Sequence, residues 1–410
     1  MTGVTIDHMI SLVALIAVLM VSMAAFGQIT NTAIMYQRNH QVSMKAAEIA
    51  NTLLLSPGDP VGWGQSNDIP FAFGLQDAER SGYSLDAFSL SRLSYAQPLV
   101  YYSKTGLWYS NNSLTGGGSA LLVPVTEAVN YTTAAKLLGV EQSYAFRLII
   151  TPTLNVSLFE LNLNPLRMQV DVRGLRGAVS EATLNYYLYH AVPGGGTYPS
   201  FEAFSGTSRT DITGSATLEF PSVDGSQFAY SILVYARVGG LSGVGYRTRD
   251  TLGNNKIIPF IEDFQNRVVL LAHSWDVHSF GPPVAALHFN ASFFSLTQDF
   301  QLREIQMVDS GGFVRRGLVN YGENYEFVRT QIPSQGPGIL VIAYRWGNDF
   351  GIVMMPWGIG VLGFSAIYGG DPSFADWVAV ELRQVTINKM SYQAKVAVWK
   401  TSYQVVRYNP

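Results

Sequence analysis

The first 55 residues carry an apolar pattern that changes character halfway along. Residues 9–26 are apolar or small, and none of them is charged. As a helix, this stretch spans about 27 Å, close to the thickness of the hydrocarbon core of a bilayer. It therefore predicts a membrane-spanning helix, whose candidate contact residues are Met9, Leu12, Leu15, Leu19 and Phe26.

Two other interpretations of this stretch remain open, a buried core helix and a cleaved secretory signal. A secretory signal normally begins with Lys or Arg, has an apolar run of about 7–15 residues and ends at a small-residue cleavage site. This chain has no Lys or Arg before residue 9, its apolar run is longer, and an Ala-x-Ala-like site is missing. An uncleaved anchor fits these features better.

The pattern from residue 28 to residue 55 indicates that the same helix continues as an amphipathic one. This stretch contains no proline, and Met35, Val42 and Ile49 are spaced seven apart with Leu53 four residues later. That spacing places apolar side chains on one face of a helix. The sequence SPGDP at 56–60 is a strong stop signal. We expect one helix of roughly 75 Å within residues 1–56, acting as a transmembrane and assembly element.

A long helix that is apolar in its first half and amphipathic in its second resembles the N-terminal helix of type IV pilins and their archaeal relatives. The opening MTGVTID resembles a short pilin leader, with Gly3 before the cut and Asp7 near the position of the characteristic carboxylate. Two features depart from the pilin pattern, because Thr2 replaces the usual Lys or Arg and Asp7 is fourth, not fifth, after the cut. The resemblance implies self-assembly into a filament and a leader cleaved after Gly3.

Three short blocks follow the helix and resemble a segment of uncharacterised archaeal membrane-anchored proteins. They are PVGWG at 60–64, FGLQD at 73–77 and FSLSRL at 88–93. That family brings no activity that could be transferred to this chain.

Strand patterns dominate the rest of the chain. Residues 57–142 are mixed and predict a neck around the helix end. Residues 143–255 show period-two alternation, for example at Met168, Val170 and Val172, and predict an immunoglobulin-like β-sandwich. The segment TDITGSATLEF at 210–220 resembles a strand pair of surface Ig-like repeats. Residues 256–410 predict a second β-rich domain, with a last strand at 403–408 that could be an exposed edge.

The predicted fold class is therefore mainly β with one long N-terminal α-helix. The charged fraction is only 13% and the net charge is −3, without any basic run, so we expect no nucleic-acid partner. The absence of cysteine excludes disulfides and thiolate chemistry.

No sequence motif points to an enzyme. The one histidine cluster contains His273 and His278, which a strand would point to opposite faces, so we expect no metal site. Walker, dinucleotide and nucleophile-elbow patterns are missing. We expect no catalytic residue and no cofactor.

Location and function are predicted from the helix and the composition together. Arg38 and Lys45 follow the apolar stretch and, by the positive-inside rule, favour a cytoplasmic body. Composition and the pilin likeness favour a body at the cell surface, anchored in lipid at least before assembly. Candidate N-glycosylation sequons lie at Asn111, Asn130, Asn155 and Asn290. The leading hypothesis is a pilin-like filament subunit or anchored adhesin that binds copies of itself, and the alternative is an anchored receptor or glycan-binding module that does not polymerise.

Overall fold

The structure is a computed structural model that describes residues 2–93, 99–111, 121–194, 196–250, 256–278, 285–322 and 324–401, with side chains from residue 8 onward. The helices of these ranges are α1 Thr2–Leu55, α2 Ala87–Ser91, α3 Tyr131–Leu137 and α4 Ser274–His278. Short 3-10 turns lie at Trp63–Gln65 and Pro372–Phe374. The chain is mainly β with one long N-terminal helix, which confirms the predicted fold class.

The strands follow in three groups along the chain. Those before residue 125 are β1 Ser84–Leu85, β2 Val100–Tyr102, β3 Leu107–Asn111 and β4 Leu122–Pro124. The middle group is β5 Tyr144–Pro152, β6 Asn155–Leu163, β7 Leu166–Gly174, β8 Gly177–Ala178, β9 Thr183–Val192, β10 Ser200–Arg209, β11 Ser215–Phe220, β12 Tyr230–Val238 and β13 Leu241–Arg249. The last group is β14 Ile257–Asp263, β15 Val268–His273, β16 Leu287–Leu296, β17 Leu302–Ile305, β18 Arg316–Val319, β19 Val328–Gln331, β20 Gly338–Trp346, β21 Asp349–Trp357, β22 Ala366–Gly369, β23 Ala379–Ile387 and β24 Met390–Lys400.

Strands β6 to β13 form a two-sheet sandwich. One sheet has the order β11-β7-β6 with β8 paired to β7, and the other has the order β10-β9-β12-β13. Numbered along the sandwich without β8, these orders are 5-2-1 and 4-3-6-7, a Greek-key arrangement of the immunoglobulin-like kind. The alternating Met168, Val170 and Val172 are all buried between the two sheets, as their spacing predicts. Gly245 lets β13 approach β6, because a Cβ there would lie 2.1 Å from the carbonyl oxygen of Val156.

The sandwich begins later than the predicted boundary at residue 143. Strand β5 pairs with β24 and β22 in a separate sheet of order β1-β23-β24-β5-β22. Alternation along β5 predicts a strand correctly, but it carries no information about which strand lies beside it. This sheet joins chain segments more than 200 residues apart, and it is the surface on which α1 packs.

The predicted neck also contributes to the sheets of the C-terminal half. Strands β2, β3 and β4 extend a sheet of order β19-β15-β14-β4-β3-β2 through a parallel contact between Leu122 and Phe260. The remaining sheet has the order β17-β16-β20-β21, with β18 also paired to β16. One apolar core runs through these sheets to the C-terminal end of α1 and to one face of β9 and β12. The sandwich is therefore packed against the rest of the head and is not separated from it.

Candidate membrane and assembly helix

The long helix α1 crosses the boundary between its two halves without a break. Its 54 residues give a length of about 81 Å, and the helix continues through Gly27 without a break. Among the helices in the described part of the chain, α1 alone is long and apolar enough to cross a membrane. Length and composition are compatible with a membrane anchor or with a signal sequence.

The predicted membrane-facing residues all project from the head. Met9, Leu12, Leu15, Leu19 and Phe26 are exposed, and the most apolar part of the helix has no contact that buries it. The predicted residues Gly3 and Asp7 precede the residues whose side chains are described. Their backbone belongs to α1.

The amphipathic stripe divides into a docked part and a free part. Val42, Ile49 and Leu53 are buried, together with Ala46, where α1 packs on β23 and β24. Met35 has the same heptad spacing but is 62% exposed, so the head does not cover it. The stripe packs on the head from Val42 onward, whereas Met35 lies beyond the part of α1 that the sheet covers.

Between the bilayer-length stretch and the docked part lies a connecting segment, residues 27–41. It spans about 22 Å as a helix and contains no charged side chain before Arg38. Its large apolar residues are exposed: Ile29, Ile34, Met35 and Tyr36.

Two threonines of the connecting segment satisfy their hydroxyls within the helix. The Thr30 hydroxyl donates to the carbonyl oxygen of Phe26, and that of Thr32 donates to the carbonyl oxygen of Gln28, both at 2.9 Å. These two groups do not need water as a partner, so each of them tolerates an apolar neighbour.

The C-terminal end of α1 is closed by the chain that follows it. The amide of Leu75 donates to the carbonyl oxygen of Leu53, and that of Gln76 donates to that of Ser56. The carbonyl groups of a last helical turn otherwise lack partners. Gly74 is needed for this approach, because a Cβ there would lie 2.2 Å from the carbonyl oxygen of Ser56.

The three sequence blocks after the helix meet at one buried arginine. Arg92 is completely buried, and its guanidinium donates to four carbonyl oxygens, which belong to Trp63, Asn67, Asp68 and Glu127. The Trp63 indole donates in turn to the carbonyl oxygen of Gly74. We call these contacts the Arg92 junction. Sequence reasoning missed it, although a single arginine inside the apolar FSLSRL block was a usable signal.

The charge of the Arg92 junction is only partly compensated. Burial lowers the pKa of Arg92 to about 10, against the opposing effect of Glu127 and Asp68. Burial raises the pKa of Glu127 to about 7, although Arg92 acts in the opposite direction. The Oε2 atom of Glu127 is buried, and no described group donates a hydrogen bond to it.

The four sequons occupy different environments. Asn130 and Asn155 are exposed and Asn111 is half-buried, and the Asn130 side chain caps the N-terminus of α3. Asn290 is 5% exposed within β16, and its Oδ1 accepts a hydrogen bond from Arg316. The sheet encloses the Asn290 amide, and glycosylation of the four sequons stays a prediction.

The histidine cluster does not form a metal site in the described residues. His273 is buried, and its Nδ1 accepts the amide hydrogen of Trp275. His278 ends the short helix α4. No group of three potential metal-binding side chains occurs in the described part of the chain. The predicted last strand at 403–408 lies outside the described residues.

Comparisons with known proteins place this chain in no family. No protein-family description matches the sequence, and no curated protein matches it. Among solved structures, red sea bream transglutaminase is similar with 10% identity and a TM-score of 0.16, over 61% of this chain and 37% of the transglutaminase. The chain therefore spans little more than a third of that enzyme's length, and a similarity this low carries no argument about fold or activity.

Proposed function

We propose that this protein is a membrane-anchored, pilin-like structural subunit of the cell surface that assembles through α1 with copies of itself. The observation that carries the proposal is the connecting segment, residues 27–41. It lies beyond a stretch already long enough for a bilayer and before the first residues that the head buries. Its exposed apolar side chains need a partner that neither lipid nor the head supplies.

The physical argument compares a plain anchor with an assembled helix. In a plain anchor, Ile29, Ile34 and Met35 stay in water. Full burial of such a side chain contributes about 1.5–3 kcal/mol, so contact with neighbouring helices offers several kcal/mol for each subunit. The parallel helices of identical copies would meet without like-charge repulsion over residues 27–37, because the first charged residue after Asp7 is Arg38. Lipid holds residues 9–26 before assembly, and the β head faces outward.

Electron microscopy of surface material from cells that express the protein tests the proposal. We expect filaments in which this chain is the repeating unit, with the helices at the centre and the heads outside. Isolated membrane-bound monomers would support the anchored receptor or glycan-binding module instead.

A charge in the connecting segment separates assembly from anchoring and folding. Met35→Glu lies outside both the bilayer-length stretch and the docked part, so membrane insertion and head stability should not change. We expect loss of filaments, because burying an unpaired carboxylate between helices costs several kcal/mol. Gln37→Glu introduces the same charge at an already polar position two residues away and should reduce assembly less. Equal assembly of both variants and the unmodified protein would contradict the proposal.

The mass of the mature N-terminus tests the leader. Cleavage after Gly3 removes residues 1–3 and brings Asp7 to the fourth position of the mature chain. A retained Met1 would exclude pilin-type processing but would leave helix assembly to be judged by the images.

A further inference from the structure

A cleft lies beside the turn that joins β12 and β13, between the sandwich and the rest of the head. The cleft has a volume of about 360 Å³, which is the size range of small-molecule sites. The sandwich contributes Thr183, Arg237 and the turn at 238–242. The other wall consists of Phe300 and Lys389. A second cavity of about 400 Å³ lies on the other side of the same turn and shares Val238 and Leu241 with the first.

The charged residues that line the cleft are both cations. The guanidinium of Arg237 lies over the Phe300 ring at 5.3 Å. Its Nε is buried, and no described group accepts a hydrogen bond from it. A buried donor without a partner is unusual in a folded protein. The Nζ of Lys389 reaches only the carbonyl oxygen of Gln298, at 3.4 Å.

Nearby charges do not neutralise the cleft. No described carboxylate forms an ion pair with Arg237 or Lys389. Burial and the positive charge of Arg80 lower the pKa of Lys389, and Asp299 opposes this effect. The cleft is therefore a positive site on a chain whose net charge is −3.

Lys389 stands at a backbone position that favours glycine. It is the second residue of the two-residue turn between β23 and β24, and both Asn388 and Lys389 have positive φ, 48° and 67°. Such turns normally read Asn-Gly, and the facing turn between β12 and β13 uses Gly239 and Gly240. A lysine there costs roughly 1 kcal/mol of backbone strain relative to glycine. A functional role for the Lys389 charge explains why this turn carries a lysine at a position that favours glycine.

The aromatic wall of the cleft is fixed in place. The Tyr187 hydroxyl donates to the carbonyl oxygen of Phe300 at 3.2 Å, and Tyr187 belongs to β9 of the sandwich. Phe300 also has a positive φ of 59°. The site is thus assembled from two parts of the head, the sandwich and the segment that contains Phe300.

We infer that this cleft binds the oxyanion group of a small acidic sugar, with Arg237 and Lys389 holding the anion and the Phe300 ring holding the Arg237 guanidinium in place. Guanidinium groups match the geometry of carboxylate and phosphate oxygens. The cleft holds a single sugar ring in volume, and the second cavity, lined by Arg176, Gln384 and Gln393, accommodates the next ring of a chain. The inference concerns the head and does not depend on assembly through α1.

Calorimetric titration of the full chain in detergent with three matched sugars tests this site. Galacturonate carries a carboxylate, galactose 6-phosphate carries a phosphate, and galactose carries neither. We expect one or both of the anionic sugars to bind at millimolar concentration or below, at least tenfold tighter than galactose, and their order identifies the preferred oxyanion. Equal binding of all three sugars, or no binding of either anion, would overturn the inference.

Substitutions of residues that line the cleft test whether these residues bind the sugar. Lys389→Gly should weaken binding at least fivefold while keeping or raising the thermal midpoint, because glycine suits the turn. Arg237→Gln should weaken binding at least tenfold. Lys136→Gln removes the same charge from an exposed position on α3 and should change nothing. Unchanged binding in both cleft variants, or equal loss in the control, would overturn the assignment.

Discussion

At the scale of single residues, Arg92 shows how one side chain ties together the segments that follow the helix. Its donors reach carbonyl oxygens of four residues in two chain segments, residues 63–68 and the turn that contains Glu127, and neither segment forms a strand there. Irregular backbone that is buried must find such partners, because its carbonyl groups cannot reach water. The sequence shows an arginine at this position, but it does not show that the four carbonyl groups meet at its guanidinium.

Arg92→Met should lower the free energy of unfolding by about 3–5 kcal/mol, because a neutral side chain leaves several buried carbonyl groups unpaired. Arg92→Lys keeps the charge but not the fork of donors, and should recover less than half of that loss. Urea unfolding of the full chain in detergent measures both. A loss below about 1 kcal/mol for Arg92→Met would show that the junction does not depend on its hydrogen bonds.

Glu127 predicts a pH dependence of stability. Its pKa in the folded protein, about 7, is higher than its ordinary value of 4.5, so the folded state binds the proton more tightly than the unfolded state. The contribution is complete below pH 4.5 and is lost as the pH rises towards 7 and above. Because Glu127 is partly solvated, we expect this loss to be of order 1–2 kcal/mol. Glu127→Gln should flatten the curve of unfolding free energy between pH 5 and pH 8, and an unchanged slope would contradict this assignment.

At the scale of elements, the long helix was predictable over most of its length because its signals are local. An uncharged apolar run, a heptad stripe and a proline-rich stop each act over a few turns, and α1 ends at Leu55 as expected. The place where the head begins to cover the helix was not predictable. It depends on where β23 and β24 end, and these strands lie more than 300 residues further along the chain.

Because α1 has a docked part and a free part, two similar side-chain truncations should lower the free energy of unfolding by very different amounts. Leu53→Ala removes a completely buried side chain and should destabilise the head by about 2–5 kcal/mol. Met35→Ala changes an exposed position of the same stripe and should alter the unfolding free energy of the detergent-solubilised monomer by less than about 0.5 kcal/mol. Comparable losses in the two variants would mean that the head covers Met35 in solution.

At the scale of the whole molecule, the β body is one connected head from which a helix projects. Alternation correctly predicted the buried side of β7 in the sandwich. It could not show that β5 pairs with β24, or that β4 lies beside β14, because partner choice is a non-local property of the chain. The cleft beside the turn between β12 and β13 could not be predicted for the same reason. Arg237 and Lys389 come together only because the sandwich packs against the β23–β24 hairpin.

Single-cysteine cross-linking measures most directly whether the projecting helix is an assembly surface. The chain contains no cysteine, so each variant carries a single thiol. Ile34→Cys lies in the connecting segment, and Ile212→Cys is a control at the tip of the sandwich that is more exposed, at 91% against 51%. A disulfide requires Cα atoms within about 7 Å, so it reports contact between copies. We predict disulfide-linked dimers of Ile34→Cys in membranes at protein densities where Ile212→Cys remains monomeric. Equal, low cross-linking of the two variants would contradict assembly through α1.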